Sequence, residues 1–178
     1  MNLKGHVATG VALAVIGLAW CGGGDAAQAF VVGAVAGSVA PDLLEVPVFV
    51  PGFGFGARKR LSLIPHRTWT HWWPFWLVPL AVALVAAWPR PSAAALALGF
   101  GLGGLLHLAM DLMTPMGLPV TWPPTRAARR KSLFVYRNGE FIKEWGVVAA
   151  VWAIALASAF GPGLVVEGVE RIGRFVGP

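Results

Sequence analysis

Five stretches of this chain carry no Asp, Glu, Lys or Arg, and they dominate what it can fold into. They cover residues 5–24, 26–41, 68–89, 91–110 and 145–166, with lengths of 20, 16, 22, 20 and 22. A helix needs about 20 apolar residues to cross roughly 30 Å of hydrocarbon, so four runs qualify outright and the second is short. Composition agrees: the chain is 57% hydrophobic before its 23 glycines are counted, and only 12% charged. Too little polar surface exists to cover a water-soluble sphere of 178 residues, and the composition is far from that of a disordered chain. The expectation is an all-α integral membrane protein forming a single domain over 1–178, with about five transmembrane helices.

Charge placement sets the expected orientation. With the N-terminus cytoplasmic and five spans, the cytoplasmic segments hold Lys4, then Arg58, Lys59, Arg60 and Arg67 in the loop 42–67, then Arg126, Arg129, Arg130, Lys131, Arg137 and Lys143 in the loop 111–144. Only Arg90, Arg171 and Arg174 fall outside, which satisfies the positive-inside rule and predicts a bacterial-type inner membrane, multi-pass location. Deleting the second span would separate the two basic clusters. Trp69, Trp72, Trp73 and Trp76 at the start of the third span, and Trp145 at the start of the fifth, read as interfacial belts. Leu18-Ala19-Trp20-Cys21 is a poor lipoprotein cleavage box, because a bulky Trp precedes the Cys and a lone Lys4 makes the n-region. Residues 46–57, broken by Pro47, Pro51 and glycines, read as an interfacial loop. The tail 163–178 is weakly amphipathic and suggests no function.

The rare polar residues gather at one end of these spans. His6 lies in the first turn of span one, Asp42 and Glu45 follow span two, His66 and His71 bracket the start of span three, and His107 and Asp111 close span four. His107 and Asp111, spaced i, i+4, share a helix face and can bind one ion or orient one another. His66 and His71 are about 140° apart on a regular helix, but Pro65 suits a first turn and lets His66 be steered toward the same centre. Arg67 is a candidate clamp for an anionic substrate oxygen. A single Cys21 leaves any metal site to His, Asp and Glu. A hydrogen-bond node or water-facing groups at span ends is the bland alternative for each residue alone. The set as a whole is harder to dismiss, because ionisable residues in spans are costly.

Two other patterns carry less. Gly99-Phe100-Gly101-Leu102-Gly103-Gly104 fits a dinucleotide fingerprint but follows no strand, so with Gly33 and Gly37 it reads as a small-residue face for close helix packing, or for a homo-oligomer. The pI near 10.5 belongs to loop charges facing membrane lipids, so no nucleic acid partner is expected.

An early His, Pro41-Asp42, His66-Arg67-x-x-Thr70-His71 and His107-x-x-x-Asp111-x-x-Thr114-x-x-Gly117, in this order, resemble the LexA-regulated, membrane-bound metal-dependent hydrolases of the YdjM type over about residues 1–125. One departure is Glu45, where such a family's acidic pair is expected to read Pro-Asp-x-Asp. The ligand order is similar, more remotely, to the helical zinc phospholipase C and P1 nuclease group, although six strong ligands are fewer than a three-metal cluster needs. The resemblance implies an inner-membrane hydrolase, cleaving a phosphoester of a lipid or membrane-proximal substrate with metal-activated water at the cytoplasmic interface. The implied ligands are His6, Asp42, His66, His71, His107 and Asp111. They would hold one or two divalent ions, zinc first and manganese second, with Asp42, Asp111 and Arg67 as catalytic groups. Two alternatives use the same residues: a non-enzymatic protein with a structural metal or hydrogen-bond node, and a small ion transporter. The transporter would need polar residues near mid-bilayer, which the sequence lacks.

Overall fold

The computed structural model describes residues 2–21, 23–51 and 58–176, except for the side chains within 47–51, 58–62 and 162–176. Helix α1 (Leu3–Cys21) opens with Asn2 as its cap, the Asn2 Oδ1 accepting from the Gly5 N–H at 2.9 Å. Helix α2 (Gly24–Leu43) follows, then a two-stranded antiparallel hairpin of β1 (Pro47–Pro51) and β2 (Arg58–Ser62). Two short 3-10 turns, Trp69–His71 and Trp73–Trp76, lead into α3 (Leu77–Ala86). Helix α4 (Pro91–Leu112) starts with proline, whose missing N–H costs nothing there. Strands β3 (Leu118–Pro119) and β4 (Arg130–Lys131) pair antiparallel before α5 (Phe141–Val176).

Among the described residues four helices are long and apolar enough to cross a membrane: α1, α2, α4 and the Phe141–Gly161 part of α5. The segment Trp73–Ala86 is a shorter apolar helix, so the short member of the five expected spans is the third and not the second. Helix α2 has 20 residues because Asp25 sits in its first turn and Asp42 in its last, so counting uncharged residues stops short of both ends. A negative charge in a first turn favours the helix. The expected span 68–89 yields only ten residues of α-helix, about 15 Å long. Pro74 biases Trp73 away from the α region, and Trp72 is extended between the two 3-10 turns. The interfacial loop expected at 46–57 contributes strand β1, while residues 52–57 lie outside the described residues. The tail is a continuation of α5 through Val176.

The helices meet through glycine. A Cβ on Gly33 would sit 2.9 Å from the Phe100 backbone N, one on Gly37 2.8 Å from the Phe100 carbonyl carbon, and one on Gly99 2.9 Å from the Ala34 N. The small faces of α2 and α4 therefore close on each other within the chain. Ala14, Phe30 and Ala34 fill one end of the core; Ala40, Trp76, Leu108 and Leu118 fill the other. Met110, Tyr136 and Val148 hold α5 and the loop after α4 against the bundle. Large apolar side chains such as Leu84, Val85, Ile154 and Phe160 face outward, as a lipid-facing surface requires.

Candidate metal centre

All six expected ligands, from four helix or turn segments, come together at one end of the bundle. His6 opens α1, Asp42 ends α2, His71 lies in the first 3-10 turn, and His107 and Asp111 share one face of the last turns of α4. His66 joins them from the turn before His71. Two groups form, Asp42 with Glu45, His66 and His71, and His6 with His107 and Asp111, each offering one donor atom per residue within 4.8 Å of the others.

The hydrogen bonds around the rings fix which nitrogens face inward. His107 Nδ1 is 2.8 Å from the Ser38 carbonyl, which can only accept, so Nδ1 carries the proton and Nε2 keeps its lone pair. His71 Nδ1 lies 3.2 Å from Glu45 Oε1 and 3.1 Å from Thr70 Oγ1, so its Nε2 is likewise directed inward. The two Nε2 atoms stand 3.3 Å apart. Two lone pairs at that separation repel unless a proton or a cation lies between them. Asp111 Oδ2 is 3.3 Å from His71 Nε2 and 3.7 Å from His107 Nε2, and Asp42 Oδ1 is 3.8 Å from His71 Nε2. Ligands about 2.0–2.1 Å from a tetrahedral ion are about 3.3 Å from each other, so this donor set fits one.

His6 adds a second sign. It is 1% exposed, stacks on the His107 ring at 3.6 Å, and its Nε2 is 3.6 Å from Asp111 Oδ1, yet neither ring nitrogen makes a hydrogen bond among the described residues. Leaving a buried polar group unsatisfied costs about 1–3 kcal/mol, which a bound cation would relieve. The cluster is buried except on one side, where the His66 side chain is 38% exposed and that of Asp42 18%.

Glu45, left outside the ligand set on sequence grounds, is fully buried at the centre of the first group. It accepts from His66 Nδ1 at 2.7 Å, from the Arg67 N–H at 3.0 Å and from His71 Nδ1. Burial would raise its pKa, but these donors outweigh burial and hold it at about 2. Its i+3 spacing from Asp42 was the one signal in the sequence.

Arg67, the candidate clamp for an anionic oxygen, is buried and commits most of its guanidinium within the protein. It is 2% exposed; NH2 pairs with Asp111 Oδ2 at 2.9 Å, and NH1 donates to Thr114 Oγ1 at 2.8 Å and to the Gly117 carbonyl at 3.3 Å. Its backbone sits at φ +57, uncommon for a residue with a Cβ, and is held by Glu45 on the N–H and by Arg130 NH2 on the carbonyl. Thr70 and Thr114, the remaining polar positions of the two motifs, are thus supports of His71 and Arg67.

Searches of curated proteins and of solved structures find no match, so the likeness to phospholipase C and P1 nuclease stays one of ligand order. A family model described as YdjM inner membrane protein matches residues 1–170, which takes in every element of the cluster and most of α5. This chain belongs to the YdjM inner membrane protein family.

Proposed function

We propose that this protein is a metal-dependent hydrolase of the inner membrane, cleaving a phosphoester of a lipid or another membrane-proximal substrate at the cytoplasmic interface. The observation that carries the reading is the convergence of His71 Nε2, His107 Nε2 and Asp111 Oδ2 at tetrahedral-edge separations, with both imidazoles oriented from behind. His71, His107, Asp111 and Asp42 would hold one ion, with His6 beside His107 and Asp111, and Glu45 and His66 beside Asp42 and His71, as further donors. Zinc or manganese suits this nitrogen and carboxylate set. A bound ion supplies a Lewis acid that brings the pKa of water down to about 7 and offsets phosphoryl charge.

The protein's own groups do the rest. The Ser38 carbonyl and the Glu45 carboxylate keep the two rings in one tautomer, so no reorientation is needed during reaction. Arg67 holds the Asp111 carboxylate in place. Asp42, at the open edge, is the carboxylate able to take a proton from attacking water. The test is metal content by mass spectrometry on detergent-purified protein, wild type beside a variant with His66, His71 and His107 all changed to alanine, followed by a phosphodiester and phospholipid hydrolysis screen. Stoichiometric metal that vanishes in the variant, with turnover by the wild type, is the expected result. No metal in either protein after reconstitution would sink the mechanism.

The Arg67–Asp111 pair favours a second reading, in which the cluster is a structural node neutralised from within. That reading expects the alanine variants to lose thermal stability while the metal-replete wild type hydrolyses nothing in the screen.

A further inference from the structure

Beside the cluster the Arg130 guanidinium lies against the Arg67 backbone, and each of the two arginines keeps a donor in reserve. Arg67 Nε and Arg130 NH1 are both buried nitrogens with no hydrogen-bond partner among the described residues. Arg67 spends its other nitrogens on Asp111, Thr114 and Gly117, which fixes the direction of the remaining N–H. Arg130 gives NH2 to the Arg67 carbonyl at 3.0 Å, so its guanidinium lies against the Arg67 backbone.

The chain goes to some length to hold Arg130 there. Pro119 pairs with Arg130 and Leu118 with Lys131 in the β3–β4 ladder, and Ser132 Oγ donates to the Thr114 carbonyl at 2.5 Å. Gly117, at φ +57, lets β4 come so close that a Cβ would meet the Lys131 carbonyl group. Among the described residues Arg130 forms no ion pair with a carboxylate, and burial followed by the like charge of Arg67 lowers its pKa. Asp111 answers the charge of Arg67, so the arrangement is left with one further cation and a buried unspent donor on each guanidinium, which an anion would complete.

We propose that Arg67 Nε and Arg130 NH1 form a cradle for a phosphoryl oxyanion beside the His/Asp cluster. Guanidinium groups match phosphate oxygens in geometry and charge, and a planar fork is more selective than an ammonium. The inference deepens the hydrolase reading by naming the group the site grips, and rests on it for what is cleaved. The binding it predicts requires no metal.

The experiment uses the detergent-purified full chain, metal-replete and chelator-stripped, titrated with inorganic phosphate by calorimetry. Wild type is expected to bind in both forms. Arg130→Gln should weaken binding about tenfold or more, the loss of about one charge-assisted hydrogen bond. Arg130→Lys, which keeps the charge without the fork, should fall between. Arg126→Gln removes an exposed charge of the same loop and should bind as wild type does. Metal content should be unchanged in all three variants, since none alters a ligand. Repeating the titration in nanodiscs with and without phosphatidic acid identifies the source. Competition by the lipid points to a headgroup, and its absence points to a free phosphate or soluble phosphoester. No phosphate binding by wild type, or equal binding by Arg130→Gln, overturns the cradle. So does an equal loss in Arg126→Gln, which would reduce the effect to bulk charge. Phosphate binding that persists in a protein that never takes up metal would overturn the hydrolase reading and leave the cradle standing.

Discussion

Changing Gly103 to alanine tests whether helix packing and site geometry are one problem in this protein. A Cβ at Gly103 would press on the Ala34 carbonyl and lie 2.8 Å from the Ser38 backbone N, where ordinary contact begins at 3.4 Å. Helices α2 and α4 would have to part by at least about 0.6 Å, because both obstacles are backbone and no rotamer can yield. Ser38 is the residue whose carbonyl holds His107 Nδ1 at 2.8 Å, and Asp42 is one turn further along α2. Metal–ligand distances tolerate about 0.2 Å, so the same displacement should cost bound metal as well as stability. Alanine improves intrinsic helix propensity by about 1 kcal/mol, whereas overpacking costs about 1–3 kcal/mol, here toward the upper end. The expected net loss is about 1–2 kcal/mol, read by denaturant unfolding in detergent with metal content measured in parallel. Gly146→Ala is the control, since a Cβ there meets nothing within 4 Å and should be neutral or stabilising. A Gly103→Ala protein at least as stable as wild type, with its metal intact, would refute the argument.

Other expectations follow from the same geometry. His107→Ala combined with Asp111→Ala should abolish stoichiometric metal in the purified protein, and metal retained by that variant would remove the assigned centre. Glu45→Gln should lower metal affinity about 10- to 100-fold in a chelator competition, because Glu45 orients both His66 and His71; unchanged affinity would make it a bystander. Tyr136→Phe should destabilise by about 1 kcal/mol in denaturant unfolding, through loss of the 3.1 Å bond to the Met110 carbonyl, with metal content unaltered. A Tyr136→Phe protein that lost metal would show that the loop after α4 is coupled to the cluster more tightly than this bond implies.

Much of the centre could be read before any coordinates, and the reasons are local. The i, i+4 spacing of His107 and Asp111 puts them on one helix face whatever surrounds that helix. The alternation of spans, fixed by where charges interrupt apolar runs, carries His6, Asp42, His71 and His107 to one end of the bundle. Span lengths were less legible. Asp25 and Asp42 hide the true ends of α2, while the prolines and tryptophans from Trp69 to Pro79 shorten α3 without adding a charge.

What no reading of one segment could supply is which neighbours each side chain meets. Periodicity along a helix reports the direction of its own faces and says nothing of the helix packed against them. So the stacking of His6 on His107, the Ser38 carbonyl behind His107, and the pairing of Arg67 with Asp111 emerge only when α1, α2 and α4 close through their glycines. Glu45, in a turn, and Arg130, in a two-residue strand, show the same limit where no period can be read. The sequence by itself determined a chain that must live in a bilayer, with its four histidines and the nearby carboxylates Asp42, Glu45 and Asp111 at span ends of one face, because hydrocarbon tolerates such groups poorly within the spans. Tertiary structure alone decided that seven of them gather into two groups of potential ligands, because their meeting depends on backbone approaches between segments far apart in the chain.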